Sequence, residues 1–299
     1  MSRAAAAVLF FLASAIALAF LALPLAALLT HSPPGALIDQ LSNPLVTNAL
    51  VVSVETSAAA QAAILLFGTP LAYLLATRRF RGRAVLVTLI ELPIVLPPAV
   101  AGIGLIVAFG RLGLLGGTFS ALGINVGFDK AAVVLAVAFV AGPLYVRTAI
   151  AAFQAIDPKL IAASRTLGAG PAKTFFRVAL PLAAGGLAAG GALALARGLG
   201  EFGATIMFAG SLQGVTQTLP LAIYYAFDTN LDAALAISAL FVIMIAAVLT
   251  SLKLTSHWHS SRSRSGTRSA IFASNQNSRS TAWSRWSGPQ APARRRCCR

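Results

Sequence analysis

The sequence predicts an all-α integral membrane protein with six transmembrane helices, and three observations support this prediction. Of the 299 residues, 58% are hydrophobic and only 10% are charged, whereas soluble domains carry about 25% charged residues. Six apolar stretches are long enough to cross the hydrocarbon core, which takes about 20 helical residues. The loops between them alternate between rich and poor in cations, as expected for a chain that crosses a membrane repeatedly.

The six predicted spans differ in composition. The first follows Met1-Ser2-Arg3, and its apolar run exceeds the roughly 7–15 residues of a secretory signal, so we expect it to be a span. Spans two to five are rich in Gly and Pro, which suits close helix packing or helix breaks beside a cavity. The predicted bounds are residues 4–30, 49–76, 84–109, 131–153, 178–209 and 231–252.

The loop charges predict the topology. Residues 77–83 carry four arginines and residues 154–177 carry four basic side chains, whereas residues 31–48 and 210–230 carry none and residues 110–130 carry two. Short loops rich in Lys and Arg stay in the cytoplasm. We therefore expect both basic loops, and both termini, to be cytoplasmic.

The charge distribution divides the chain into a transmembrane domain, residues 1–255, and a Ser/Arg-rich tail, residues 256–299. Ten basic residues and no acid lie from Lys253 onward, whereas the preceding residues hold thirteen basic and eight acidic side chains. The tail composition predicts disorder, and the tail is either a dispensable extension or a polybasic segment that contacts anionic lipid. We expect no nucleic-acid partner, because no folded basic face is predicted.

The third predicted span contains the step Leu96-Pro97-Pro98. Two consecutive prolines remove two backbone donors, and irregular backbone at membrane depth is tolerated where it is buried in protein or lines a water-filled cavity. The step therefore predicts a bend beside a pathway.

A polar, basic island, residues 162–181, lies between the fourth and fifth spans. Asp157-Pro158 is typical of a helix start, and Gly168-Ala169-Gly170-Pro171 predicts a turn that ends this helix. We expect a second short helix, residues 172–178, before the fifth span begins at Leu180-Pro181. The island is predicted to dock a soluble partner.

This island resembles the cytoplasmic coupling loop of binding-protein-dependent ABC importer permeases. Their pattern is Glu-Ala-Ala, three residues, Gly, nine residues, Ile, any residue, Leu-Pro; the first Glu is missing here, and Val178 replaces Ile. The resemblance covers roughly residues 45–252 and implies the type I permease fold. Within loop 157–177 and the start of the next span, it implies that these residues couple to an ATPase: Ala162, Ala163, Ser164, Arg165, Gly168, Leu180 and Pro181.

Two further strings are similar to permeases for tetrahedral oxyanions. They are residues 96–102, LPPAVAG, and residues 200–210, GEFGATIMFAG, the second closest to the molybdate branch. The resemblance implies a homodimer in the inner (plasma) membrane of a prokaryote, two ABC ATPase subunits, and an extracytoplasmic oxyanion-binding protein that delivers molybdate. Sulfate, thiosulfate or tungstate remain alternative substrates. The chain lacks a Gly-x-x-x-x-Gly-Lys-Ser/Thr loop, so ATP and Mg²⁺ are expected in the partner, with no cofactor in this chain.

Ionisable side chains within membrane spans are costly and usually functional. Arg197 and Glu201 are four residues apart and either neutralise each other or belong to a gate, while Glu91 is expected to form a salt bridge near the arginines of residues 78–83. Neutral donors such as Thr205 and Ser211 are candidate anion ligands. The predicted path or gate residues are Pro97, Pro98, Gly200, Glu201, Gly203 and Thr205.

No catalytic or metal-binding constellation competes with these motifs. The histidines are His31, His257 and His259, and Cys297 and Cys298 are adjacent at the extreme end. A membrane enzyme acting on lipids would need a polar catalytic cluster, which the sequence lacks. An ion-driven secondary transporter would not need the island at residues 162–181.

Overall fold

The computed structural model describes residues 3–121 and 127–251. The predicted tail, residues 256–299, lies outside the described residues, and so do His257, His259, Cys297 and Cys298. The described part is helical, and its helices are α1 (Arg3–Thr30), α2 (Pro34–Leu41), α3 (Pro44–Thr77), α4 (Arg83–Val95), α5 (Pro98–Phe109), α6 (Gly116–Ala121), α7 (Lys130–Gln154), α8 (Pro158–Thr166), α9 (Pro171–Leu199), α10 (Gly203–Ala209), α11 (Leu219–Thr229) and α12 (Leu231–Ser251).

Within residues 3–121 and 127–251, six candidate membrane spans are present when α4 and α5 are counted as one bent span, which agrees with the predicted number. The other five are α1, α3, α7, α9 and α12, each long and apolar enough to cross a bilayer. Asn43 caps α3 by accepting the Leu45 N–H at 3.0 Å. This cap lets α3 begin at Pro44, five residues before the predicted start of the second span.

The core of the molecule is the bundle of α3, α7 and α9, which pack through small residues. A Cβ added at Gly190 would lie 3.0 Å from Thr148 Cβ, and one at Gly68 would lie 3.0 Å from Tyr145 Cδ1. The Tyr145 hydroxyl, almost fully buried, lies 2.6 Å from the Thr69 hydroxyl. In a membrane the surrounding lipid is as apolar as the helices, so the hydrophobic effect does not drive helix association. Close packing at small residues such as glycine provides the stabilising contacts instead.

The third span is divided into two helices. The axes of α4 and α5 differ by 117°, and Leu96 and Pro97 between them have extended backbone angles. This confirms the bend that the double proline predicts, although the predicted single span over 84–109 is replaced by two helices. The reason is that neither Pro97 nor Pro98 can donate a backbone hydrogen bond, so the helix restarts at Pro98.

The prediction for the fifth span was wrong at both ends. The helix begins at Pro171 and continues through a π turn, Phe175–Ala179, to Leu199, so the expected separate helix over 172–178 is part of α9. Residues 200–202 then interrupt the chain before α10. Gly198 and Gly200 weaken the last turn of α9, and the side chain of Glu201 caps α10 by accepting the Ala204 N–H.

The connecting segments lie at two ends of the bundle. The 78–82 loop and the start of α8 line one pocket and therefore share an end. At the other end, Lys130 contacts Glu55 and the ring of Phe128 lies near Gly210. This arrangement agrees with the predicted alternation of loops, while the side of the membrane on which each end lies stays a prediction.

Candidate functional site: the apposed breaks and the α8 base

The two interruptions in the membrane helices meet in space. We call residues 96–98 and residues 200–203 the apposed breaks. A Cβ added at Gly203 would lie 2.7 Å from Pro98 Cβ, and one at Gly102 would lie 2.6 Å from Met207 Cβ and 2.9 Å from the Ala204 carbonyl oxygen. The sequence-predicted residues Pro98 and Gly203 are thus brought into direct contact, with α5 packed along α10.

Glu201 lies at the centre of the apposed breaks and has two partners. Its side chain is 1% exposed; Oε2 lies 2.6 Å from Arg197 Nη1, and Oε1 accepts the Ala204 N–H at 2.9 Å. One carboxylate therefore links the last turn of α9 to the first turn of α10. The ion-pair interpretation of Arg197 and Glu201 is confirmed, and the cap on α10 was not predicted.

The two predicted hydroxyl ligands occupy different environments. Thr205 is fully buried, and its hydroxyl oxygen has no hydrogen-bond partner within the described residues. Ser211 is exposed and follows Gly210, which has a positive φ of 70°. An unpaired buried hydroxyl is unusual in native structures. Thr205 is therefore the stronger candidate of the two for contact with water or an anion.

Two further ion pairs involve carboxylates of the membrane helices. Lys130 Nζ lies 2.6 Å from Glu55 Oε2 with both side chains about half exposed. Arg147 Nε lies 3.5 Å from Glu91 Oε1. The expected salt bridge of Glu91 is present, but the arginines of residues 78–83 do not form it. Glu91 lies two turns into α4, about 12 Å from the helix start at 1.5 Å per residue.

The predicted coupling residues are on α8 and the start of α9. Ala162, Ala163 and Arg165 are exposed, Ser164 is partly buried, and Gly168 has φ +80°. The Gly168 N–H donates to the Arg165 carbonyl and the Ala169 N–H donates to the Ser164 carbonyl, both at 3.0 Å. This is a Schellman motif, which places glycine in the left-handed region at the helix end. Leu180 and Pro181 lie in the third turn of α9, where Pro181 is exposed.

Side-chain contacts attach α8 to the bundle, and we call this attachment the α8 base. The hydroxyls of Ser164 and Thr174 lie 3.1 Å apart, and Thr174 is fully buried. Below them the rings of Tyr73, Phe153 and Phe175 form a cluster with centroids 4.8 to 6.3 Å apart. Neither Thr174 nor this cluster was predicted from the sequence. The signal in the sequence is that each ring stands near the end of a different long helix.

The outward surface of this region combines apolar and basic side chains. Leu167 is 87% exposed and Phe176, at the start of α9, is 63% exposed; Lys159, Arg165 and Lys173 are exposed as well. A cluster of exposed large apolar residues with a charged rim is typical of a protein docking surface. The geometry therefore supports a partner that binds α8 from outside.

Comparison with known families and proteins identifies similar chains. Residues 68–264 match the family described as binding-protein-dependent transport system inner membrane component. The molybdenum transport system permease protein ModB of Mycobacterium tuberculosis (strain ATCC 25618 / H37Rv) is 46% identical over 232 residues, covering 77% of this chain and 87% of the relative. ModB of Escherichia coli (strain K12) is 41% identical over 221 residues, covering 73% and 96%.

Solved structures share the fold at lower sequence identity. A bacterial ABC transporter that imports the acidic polysaccharide alginate matches with a TM-score of 0.67 and 16% identity, covering 85% of this chain and 96% of that chain. The inward-facing MetNI methionine ABC transporter matches with a TM-score of 0.56 and 20% identity, covering 71% and 95%. At this identity the similarity concerns the fold alone.

Proposed function

From the premise that the chain belongs to the family of binding-protein-dependent transport system inner membrane components, we propose that it is the permease subunit of an ATP-driven ABC importer for molybdate. The observation that carries this proposal is the identity, over most of the chain, to the mycobacterial and E. coli permeases named for molybdenum transport. The chain is a multi-pass protein of the inner (plasma) membrane, and the ATPase is a separate subunit. An ion-driven secondary transporter is disfavoured by the family.

We further propose the assembly in which the chain works. Two copies form a homodimer with two ATPase subunits and one extracytoplasmic binding protein, and ATP with Mg²⁺ binds only to the ATPase subunits. One feature of the single chain supports a second copy: the Arg147 side chain is 67% exposed. Because a charged side chain facing lipid is costly, we expect protein or a water-filled path to cover Arg147.

In the proposed mechanism the α8 base transmits force from the ATPase. The exposed face of α8 docks on that subunit. The Ser164–Thr174 contact connects α8 to the start of α9, and the aromatic cluster connects the start of α9 to α3 and α7. A displacement of α8 would thus move three long helices together. The path and gate residues are those at the apposed breaks, where the helices can tilt about non-helical backbone: Pro97, Pro98, Gly200, Glu201, Gly203 and Thr205.

Uptake by the reconstituted complex tests the proposed function. Proteoliposomes containing this chain, its cognate ATPase and its binding protein should accumulate molybdate only with ATP and Mg²⁺. Adding tungstate, thiosulfate or sulfate in equal excess then ranks the substrates. Uptake without the ATPase would contradict the proposal of an ABC importer. Stronger competition by sulfate than by unlabelled molybdate would contradict molybdate as the preferred substrate.

The coupling role of α8 is tested at Gly168, where a Cβ would meet no atom within 4 Å. We expect Gly168→Trp to abolish uptake, at least about tenfold, because the bulky ring would stand on the docking surface while the protein still inserts. Gly168→Asn, which tolerates the left-handed backbone, should retain most uptake. Gly82→Trp is the matched control, because Gly82 has φ +89° and is also open. Equal losses at both glycines would indicate backbone strain instead of docking.

A further inference from the structure

A cavity of about 500 Å³ lies behind α8. It is lined by residues at the ends of α3 and α7 and at the starts of α4 and α8, and its lining includes Arg78, Arg79 and Arg83. We call it the arginine pocket. Pro158 and Ile161 line it from α8, one turn apart on one side of the helix. At 3.6 residues per turn, Arg165 lies on this same side, whereas Lys159 and Leu167 of the docking surface lie on the opposite side. The pocket therefore lies on the side of α8 that faces away from Lys159 and Leu167.

The cations of the arginine pocket are not neutralised by the chain. No carboxylate of the described residues lies within salt-bridge distance of Arg78, Arg79 or Arg83. Arg83 is held in place because its Nε donates to the Leu75 carbonyl oxygen at 2.7 Å. Asp157, the acid nearest the lining in sequence, accepts the Lys159 N–H at 2.9 Å as the cap of α8. Three positive charges thus converge on one cavity.

The helix dipoles do not cancel this charge. α3 and α7 end at the pocket and present partial negative charge, whereas α4 and α8 begin there and present partial positive charge. The two contributions oppose each other, so the guanidinium groups dominate. A guanidinium group presents a planar fork that matches the oxygen atoms of phosphate.

Apart from Thr77 and Gln154, the rest of the pocket lining is mainly apolar. Tyr73 and Phe153 line it with their rings 5.3 Å apart, and Ile156 and Ile161 add aliphatic surface. Tyr73 and Phe153 stand near the ends of α3 and α7, two helices long and apolar enough to cross a membrane, so we expect the pocket near the level where acyl chains meet headgroups. A basic rim over an apolar wall at this depth suits an amphipathic anion better than a freely soluble one.

We propose that the arginine pocket binds the phosphate headgroup of an anionic phospholipid. The phosphate would lie between Arg78, Arg79 and Arg83, with the glycerol and the upper acyl chain against Tyr73, Phe153 and Ile161. A lipid in this position touches the end of α3 and the inner side of α8 at once, so it would stabilise α8 against the bundle. The site does not depend on which anion the protein carries.

The test measures lipid retained by the full-length chain. Nanodiscs of phosphatidylcholine with increasing phosphatidylglycerol are prepared, and the phosphatidylglycerol that stays bound to the released protein is counted by native mass spectrometry. Each cation near a membrane surface contributes about 1 kcal/mol, or roughly fivefold in affinity. Arg78→Gln/Arg79→Gln should therefore weaken retention at least tenfold. Arg81→Gln is the matched control, because Arg81 belongs to the same loop but does not line the pocket.

Two further variants keep the result interpretable if the double glutamine variant fails to fold. Arg78→Lys/Arg79→Lys keeps the positive charges but removes the planar guanidinium groups that match phosphate oxygens, so lipid retention should fall less than in the double glutamine variant. Ile161→Trp fills the pocket without changing the charge, and retention should fall as it does with glutamine.

Two results would overturn the proposal. Equal weakening by Arg81→Gln would show that lipid is held by general surface charge. Displacement of the lipid by millimolar inorganic phosphate, or phosphate binding by the chain in pure phosphatidylcholine, would show that the pocket takes a free oxyanion instead. Because lipid is counted directly, a failure here leaves the uptake experiment unaffected.

Discussion

The apposed breaks and the α8 base use the same residue types for opposite purposes. At the apposed breaks and along the adjoining contact of α5 with α10, a Cβ on Gly203 or Gly102 would lie within 3 Å of the facing helix, so glycine allows two backbones to touch. At the α8 base, Gly168 has open space around it and a positive φ, so glycine allows a turn. The first region is tightly packed and the second is held by a few polar and aromatic contacts.

This difference suggests that the two regions have different roles in the conformational change of transport. A packed, charge-linked region changes between discrete arrangements, because close-packed contacts do not deform continuously. A lightly held helix on the surface can instead follow a partner that moves. We therefore expect substitutions at the apposed breaks to affect stability strongly, and substitutions at the α8 base to affect transmission with smaller losses of stability.

The largest effect is expected at Glu201. Glu201→Leu removes the partner of Arg197 and the cap on Ala204, and it should destabilise the protein by roughly 3 kcal/mol. This is the low end for breaking a buried pair, because Arg197 is 35% exposed. Glu201→Gln keeps a side-chain oxygen that can accept the Ala204 N–H, so it should destabilise the protein less than Glu201→Leu does. The unfolding transition of the purified protein in detergent measures both.

Two variants decide whether that loss comes from the uncompensated charge. Arg197→Met/Glu201→Gln should recover much of the stability lost in Glu201→Gln, because no charge is then left without a partner. Glu55→Gln disrupts a pair that is about half exposed and should cost only about 0–1 kcal/mol. If Glu55→Gln destabilised as much as Glu201→Gln, burial would not be the reason for the effect.

A smaller effect is expected where α5 packs on α10. Gly102→Ala places a methyl group 2.6 Å from Met207 Cβ, and such overpacking costs about 1–3 kcal/mol. Gly104→Ala, two residues along the same helix, meets no atom within 4 Å and should be neutral or stabilising, since alanine favours a helix by up to about 1 kcal/mol. Equal unfolding midpoints for the two variants would refute close packing at the apposed breaks.

The sequence was sufficient for the features that depend on local chemistry. The double proline predicted the bend after α4, Asp157-Pro158 predicted the start of α8, and the spacing of Arg197 and Glu201 predicted their ion pair. Each depends on residues that are neighbours in the chain, where steric and hydrogen-bonding rules decide the outcome.

The sequence was insufficient where a contact joins distant segments. Nothing local shows that Pro98 meets Gly203, or that Glu91 meets Arg147 instead of the arginines of residues 78–83. The end of the fifth span was misjudged for a related reason. Apolar composition continues through residue 209, and hydropathy does not detect that the Glu201 carboxylate caps a new helix.

The smallest stability effect is expected at the α8 base. Ser164→Ala removes a hydroxyl 3.1 Å from that of Thr174 and leaves the fully buried Thr174 hydroxyl with only a distant acceptor, the Ala169 carbonyl oxygen at 3.5 Å. The cost should be about 1 kcal/mol, confined to α8. Amide hydrogen exchange should therefore accelerate roughly fivefold in residues 160–169, while exchange in the middle of α7 stays unchanged. Thr166→Ala is the control, because the Thr166 hydroxyl donates only to the Ala163 carbonyl oxygen within α8 itself. If Thr166→Ala accelerated exchange as much as Ser164→Ala, the contact with Thr174 would not be what holds α8 to the bundle.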